Sequence, residues 1–158
     1  MVNRRIQHVR FTRADLGSDA GTSLLETAAL MPLLVLVLLG VIELGYVIYA
    51  AIEVSNAAKA GVQYGAQNCS TVYDTTGITT AATKDAANLT GLQVTVPAPT
   101  CVCSDGTAST CQNTDCPNSH IVITLTVQTQ ATVTPPVQLP GLPASFTFNG
   151  QAIQKILQ

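Results

Sequence analysis

The sequence has no tryptophan, few aromatic residues and few charges. Aromatic residues make up 4% and charged residues 10% of its 158 residues, whereas hydrophobic residues make up 47%. This balance is unusual for a soluble enzyme and indicates that the apolar residues are concentrated in one segment. The formal net charge is −2, so we expect no basic surface that binds nucleic acid.

Cations are scarce beyond the N-terminus. Of the seven lysines and arginines, four lie within the first 13 residues: Arg4, Arg5, Arg10 and Arg13. All five cysteines lie in the C-terminal half or close to it: Cys69, Cys101, Cys103, Cys111 and Cys116. This asymmetry predicts a cytoplasmic N-terminus and a C-terminal part in an oxidising compartment, either the periplasm or the extracellular space.

A long apolar run separates these two regions. Residues 28–42 carry no charge, and a helix counted from residue 27 would span about 24 Å of a hydrocarbon core of about 30 Å. The sequence is apolar again between Glu43 and Glu53. We therefore predict a single transmembrane helix with Glu43 near its outer edge and with Tyr46 and Tyr49 at the interface.

The helix is expected to continue beyond the membrane. Ala57, Gly61 and Gly65 recur every four residues, a small-residue pattern that lets helices approach closely. A helix over residues 22–66 would be about 65 Å long, more than a bilayer needs. The pattern therefore predicts a stalk with a close-packing face, and the alternative is a helix that frays here toward a loop.

The apolar run admits two other interpretations. Ala58-Lys59-Ala60 resembles the site at which an ordinary secretory signal is cut, although it lies far beyond the uncharged run. An uncleaved signal anchor is the second alternative. Either would still export the C-terminal part.

The C-terminal part predicts a small α+β domain. A turn-rich linker over residues 68–77 precedes a short helix over residues 78–89. About three antiparallel strands follow over residues 92–96, 120–133 and 144–158, the last with a turn at Asn149-Gly150. The fold class is thus a long N-terminal helix, membrane-spanning and then stalk, followed by a small exported domain with one short helix and these strands.

The cysteines are expected to form disulfides in a loop over residues 97–119. We favour the nested pairs Cys101–Cys116 and Cys103–Cys111, with Cys69 unpaired, among the fifteen ways of choosing two bridges from five cysteines. A zinc site is the competing interpretation, but its spacing is irregular and an exported compartment does not favour it. No Cys-x-x-Cys motif indicates thiol redox chemistry.

No catalytic motif is visible. His8 lies in the basic leader and His120 begins a strand, and no nucleophile elbow, phosphate loop or paired carboxylates accompany them. We therefore expect a protein that is not an enzyme and has no cofactor or metal. An anchored enzyme would need a site that the sequence does not offer.

The N-terminal residues resemble type IV pilin-like proteins, and within them the TadE-like pseudopilins of tight-adherence (Flp-type) pilus systems. Three stretches carry the resemblance: Gly21 with Glu26 behind a basic leader, Met31-Pro32-Leu33-Leu34 with Glu43-Leu44-Gly45, and Asn56-Ala57-Ala58-Lys59-Ala60-Gly61-Val62-Gln63-Tyr64. The resemblance covers about residues 21–66. The length exceeds that of a major Flp pilin, which favours a minor or accessory subunit.

The resemblance implies processing and assembly. A prepilin peptidase would remove the leader, residues 1–21, by cutting between Gly21 and Thr22. Residues 22–67 would form the transmembrane and stalk helix, and residues 68–158 the exported domain. Glu26 would pair with the new ammonium at Thr22 of a neighbouring subunit, and Ala57, Gly61 and Gly65 would serve helix packing. The expected partners are the peptidase, other pilins or pseudopilins, the pilus assembly machinery and inner-membrane lipid.

Overall fold

The structure, a computed structural model, describes residues 19–112, 114–137 and 141–157, and for residues 19–22 it describes the helical backbone. Most of the predicted leader, residues 1–18, lies outside the described residues. One long helix is followed by a short helix and four strands. The elements are α1 (Asp19–Gly65), α2 (Thr75–Asp85), β1 (Gln93–Thr95), β2 (Thr100–Cys103), β3 (Ile121–Val133) and β4 (Phe146–Leu157).

This architecture confirms the predicted α+β class. Helix α1 contains 47 residues and continues through Pro32, so it is about 70 Å long. It begins three residues before the predicted start at residue 22 and ends at Gly65, one residue before the end expected from the small-residue pattern and two before that of the predicted segment 22–67. The structure divides into two compact units within this helix, of which the first ends at Leu39 and the second is Gly40–Gln158.

Helix α2 begins earlier than predicted because an aspartate caps it. The Asp74 carboxylate accepts a hydrogen bond of 2.9 Å from the Gly77 backbone N–H, which satisfies one of the free donors of the first turn. A single 3₁₀ turn, Thr71–Tyr73, leads into this cap. The turn-rich linker of the sequence is therefore shorter than expected, and the helix occupies its last residues.

Strand β3 is the centre of an antiparallel sheet. It pairs with β4 from Val122↔Leu157 to Val133↔Phe146. Its other edge carries both β1 and β2, which pair with residues 128–130 and 121–124. The predicted alternation along β3 is confirmed, because its odd-numbered residues are all buried and its even-numbered residues are exposed or half-buried.

Two details of the predicted strands are wrong. Strand β2 lies in the region expected to be loop, where Cys101 and Cys103 are on its buried side. The expected turn at Asn149-Gly150 is absent from the described residues 146–157, because β4 runs straight through both positions. Gly150 has another role, described below.

The hydrophobic core of the second unit lies between the later part of α1, helix α2 and one face of the sheet. Three buried clusters make it up: Ala57 with Ala82 and Ala86; Val62 with Ile78, Leu125 and Val127; and Val72 with Cys101, Cys103, Cys116, Ile121 and Ile123. Burial of these side chains is the main favourable term for the unit.

Candidate functional site on the long helix

The first part of α1 exposes its large apolar side chains. Leucines, valines and a methionine between residues 24 and 38 are all at least half exposed: Leu24, Leu25, Leu30, Met31, Leu33, Leu34, Val35, Leu36, Val37 and Leu38. The helix is long and apolar enough over Ser23–Gly65 to cross a membrane. Exposed apolar surface of this extent is unfavourable in water, so we expect lipid or another protein to cover it.

The residues predicted for processing lie at the start of this helix. Gly21 and Thr22 are in its first turn, and Glu26 follows about one turn later with an exposed side chain. Thr22 and Glu26 are four residues, about one helical turn, apart along the backbone. The apolar run begins immediately after Glu26, so its carboxylate lies at the polar end of the candidate membrane segment.

Glu43 has a partner that the sequence did not indicate. It is 4% exposed, and its carboxylate accepts a hydrogen bond of 3.3 Å from the backbone N–H of Val137, just beyond β3. A buried carboxylate needs such a donor. The expectation that Glu43 marks the outer edge of the membrane segment stays a prediction, and the hydrogen bond joins α1 to the chain between β3 and β4.

The small residues of α1 pack within the same chain. Ala57, Gly61 and Gly65 are buried, and a Cβ atom at Gly61 would lie 3.1 Å from Val127 Cγ1 and 3.4 Å from Ala82 Cβ. The close-packing face that the spacing predicted thus meets α2 and β3 of its own chain. Side-chain size explains this, because alanine and glycine let both elements approach the helix axis closely.

The sheet contacts the helix backbone itself at one point. The Thr129 hydroxyl donates a buried hydrogen bond of 2.6 Å to the carbonyl oxygen of Val54. Beside it, a Cβ atom on Gly150 would lie 2.6 Å from the same carbonyl oxygen. Gly150 therefore permits close backbone approach inside a strand, a role that the Asn-Gly pair did not reveal.

Strand β3 runs antiparallel to the later part of α1. Gly65 lies beside Leu125, Gly61 beside Val127 and Val54 beside Thr129. As the residue number rises along β3, the number of the neighbouring helix residue falls. The strands are therefore aligned with the helix, and β3 and β4 cover it from Val54 to Gly65.

A polar contact fixes the end of α1 to the start of α2. The Tyr64 hydroxyl donates a hydrogen bond of 2.9 Å to the Asp74 carboxylate. The Gly77 N–H and this hydroxyl stabilise the charged form, so they lower the pKa of Asp74 below its usual 3.8. The same hydrogen bond raises the pKa of Tyr64, because Tyr64 must keep its proton to donate.

The disulfides differ from the predicted nested pairs Cys101–Cys116 and Cys103–Cys111. The structure joins Cys101 to Cys111 and Cys103 to Cys116, with Cα–Cα distances of 5.2 and 5.7 Å. Cys69 is a free thiol.

The course of the chain after β2 explains the pairing. The chain turns back on β2, where Cys103 N–H donates to Thr107 O and Val102 bridges Ala108. This hairpin carries Cys111 alongside Cys101, and Cys116 then meets Cys103 as the chain approaches β3. The four cysteines that the zinc interpretation would use as ligands are all in disulfide bonds. Within the described residues, no group of three or more His, Cys, Asp or Glu side chains is placed to hold a metal ion.

Comparison with known protein families decides how the long helix is classified. Residues 21–63 match the family of TadE-like proteins. The predicted resemblance is thereby confirmed for α1, from Gly21 to two residues before its end. The match covers 43 of the chain's 158 residues, all of them within α1. No curated protein and no solved structure matches the chain.

Proposed function

We propose that this chain is a pseudopilin or minor pilin of a Tad (Flp-type) pilus, processed by a prepilin peptidase after Gly21. The observation that carries the proposal is the coincidence of two boundaries. The TadE-like match begins at Gly21, and the exposed apolar side chains begin at Leu24, three residues later. A cut at Gly21 would remove the basic leader and leave the whole apolar helix intact.

In this proposal, the negative charge of Glu26 serves to pair neighbouring subunits. A carboxylate at the edge of the hydrocarbon phase is costly when unpaired. Cleavage would create an ammonium group at Thr22, and the ammonium group of a neighbouring subunit would neutralise Glu26. Such a pair would set the register in which helices pack. A snorkelling carboxylate without a partner is the simpler alternative.

The exposed apolar surface supports assembly or membrane residence. Leu24 and Leu25 are each 73% exposed. Contact with lipid or with the helices of other pilins would remove the unfavourable free energy of exposing them to water. Before assembly, the chain would reside in the inner membrane in contact with its lipid. During assembly, the helices of other subunits and the pilus machinery would replace that lipid.

The proposed orientation rests on charge and cysteine chemistry. The cations of residues 4–13 favour a cytoplasmic N-terminus under the positive-inside rule. The two disulfides of the C-terminal unit require an oxidising compartment. A single-pass protein with a periplasmic or extracellular C-terminal domain satisfies both.

An uncleaved membrane anchor that presents a binding domain is the second candidate function. The C-terminal unit has its own core, so it would fold on an anchor whether or not the leader is removed. Under this alternative, Gly21 has no special role.

The N-terminus of the purified chain separates the two candidates. The full-length protein would be produced with and without a prepilin peptidase, and its mass measured. We expect a chain that begins at Thr22 only when the peptidase is present. A chain that still begins at Met1 with an active peptidase would exclude the processed pilin.

Two glycines of the leader region provide a matched control. Gly21→Leu should abolish the cut, whereas Gly17→Leu should leave it unchanged, since only Gly21 precedes the glutamate at the required spacing. For assembly, Glu26→Gln should preserve cleavage but reduce recovery of the chain with pilus components. Glu26→Asp, which keeps the charge, should restore part of that recovery.

A further inference from the structure

The outer face of the sheet carries a cluster of side-chain amides. The inner face packs on α1 and α2, and the outer face points the opposite way. Register places two rows of side chains across β1, β3 and β4. The rows are Gln93, Gln130 and Asn149, and Thr95, Gln128 and Gln151, all exposed. We call these six residues the amide face.

The amide face forms a groove without charge. It is open to solvent and has a volume of about 480 Å³, and every residue that lines it is glutamine, threonine, asparagine or glycine. Lys155, the cation on this side of β4, is four residues beyond Gln151, a distance of about 13 Å along the strand. A ligand in the groove therefore gains nothing from carrying a charge.

The hydrogen-bonding groups in the groove are both donors and acceptors. Gln130 Nε2 donates a bond of 2.7 Å to Asn149 Oδ1, which orients both amides. That bond does not use the Gln130 side-chain oxygen, an acceptor, or the Asn149 NH₂ group, a donor, so both can bond a ligand. The backbone groups of β3 at this position pair with β1 and β4, so recognition must use the side chains.

Shape limits what can occupy the groove. A second copy of the same face is a poor occupant, because two concave surfaces leave a void between them and native interfaces are closely packed. An extended peptide would gain most at a sheet edge, where backbone donors are free, rather than across this face. A chain of neutral hydroxyl groups fits the uncharged donors and acceptors that line the groove.

We propose that the amide face binds a neutral saccharide chain. The amides of this face and the Thr95 hydroxyl would bond sugar hydroxyls, each of which donates and accepts. No aromatic side chain lines the groove, so ring stacking does not contribute. A single groove should therefore bind weakly, with a dissociation constant of about 1 mM.

The test uses the full chain in phosphatidylcholine nanodiscs, which contain no sugar. Saturation-transfer NMR would be recorded with maltohexaose, cellohexaose, chitohexaose and an acidic control, hexagalacturonate. We expect at least one neutral oligosaccharide to bind. The combined change Gln128→Ala and Gln130→Ala should weaken that binding about tenfold, because two hydrogen-bonding side chains are lost.

Strand β4 offers a matched control. Gln151 lies on the amide face, whereas Gln154 is exposed on the opposite side of the same strand. Gln151→Ala should weaken binding about threefold, and Gln154→Ala should change it less than about twofold. Binding should be the same at about 50 mM and about 500 mM salt, because no charge takes part.

Three results would overturn the proposal. The first is that no neutral oligosaccharide binds. The second is that binding survives the double change at Gln128 and Gln130. The third is a preference for hexagalacturonate or for an unstructured peptide, which would assign the face to another class of ligand. The folding of each variant is checked from its amide spectrum, so a lost signal is attributable to the groove.

Discussion

Both ends of helix α1 carry apolar side chains, yet these side chains have opposite surroundings. Between residues 24 and 38 the side chains are large and exposed. Between residues 50 and 65 the buried positions are small or medium in size: Ala50, Val54, Ala57, Ala58, Gly61, Val62 and Gly65. The comparison shows that hydrophobicity alone does not decide which part of a helix a domain covers.

Side-chain size explains the difference. Alanine and glycine contribute little apolar area themselves, but they allow larger partners such as Ile78, Leu125 and Val127 to be buried against the helix. Large leucines on the helix would hold the sheet away from its backbone. The leucine-rich end is therefore left for lipid or for other helices, and the small-residue end carries the domain.

The largest effect is expected where the sheet meets the helix backbone. In Gly150→Ala the new methyl group would lie 2.6 Å from the Val54 carbonyl oxygen, and neither backbone can yield easily. The free energy of unfolding of the C-terminal unit should fall by about 3 kcal/mol. Pulse proteolysis in urea, on the full chain in nanodiscs, measures it.

Gly45 is the control for that change. A Cβ atom there meets nothing within 4 Å among the described residues, so Gly45→Ala should alter the same free energy by less than about 0.5 kcal/mol. Equal losses for the two variants would contradict the close approach at Gly150.

A smaller loss is expected from the hydroxyl that bonds the helix. Thr129→Val keeps the shape of the side chain but removes the donor to Val54 O, which is 2.6 Å away. The unfolding free energy should fall by about 1 kcal/mol. Thr132→Val, on the exposed side of the same strand, breaks a hydroxyl contact with Thr147 and should cost under about 0.5 kcal/mol.

Acid should weaken the junction between α1 and α2. The lowered pKa of Asp74 means that its contribution is present above its usual pKa of 3.8 and is lost as pH falls through the lower folded value. Asp74→Asn should remove this part of the pH dependence. The contributions of Asp105 and Asp115 should remain, since their pKa values are also lowered.

Urea unfolding at a series of acidic pH values measures this effect. A slope of stability against pH that is identical in the wild type and in Asp74→Asn would show that the cap carboxylate contributes nothing.

The smallest effect is expected in the leucine-rich end of α1. Leu36 is 59% exposed, so Leu36→Ala should change the unfolding free energy of the C-terminal unit by less than about 0.5 kcal/mol. Val62→Ala, at a position that is 4% exposed, should cost about 2 kcal/mol. Comparable losses would mean that the two ends of the helix are not separate in their energetics.

The elements that the sequence predicted best are those with a strong periodic pattern. The bounds of α1 and the alternation of β3 follow from runs of apolar residues, which are local signals. Helix α2 was predicted too late in the chain because Asp74, a local N-cap signal bonded to Gly77, was assigned to the turn-rich linker. Strand β2 was missed because its residues carry no strand pattern and are held against β3 by their pairing and by disulfides.

The candidate site also contains features that the sequence revealed and others that it did not. Gly21 and Glu26 were assigned through the resemblance to pilin-like proteins and the apolar run through its hydrophobicity, and the TadE-like match covers the same stretch. The partner of Glu43 could not be found, because Val137 is 94 residues away in sequence. The disulfide pairing could not be found either, since five cysteines allow many combinations and only the hairpin after β2 selects between them.

The sequence by itself determined the long helix, its exposed apolar end and the α+β class, because each depends on composition and period within one segment. Only the tertiary structure decided that the small residues of α1 face β3 and α2, and that Gly150 lies on the helix backbone. It also showed that six polar side chains from three strands line one groove. These features depend on strand register and on close approach between segments that are distant in sequence. Neither can be predicted from the residues of one segment alone.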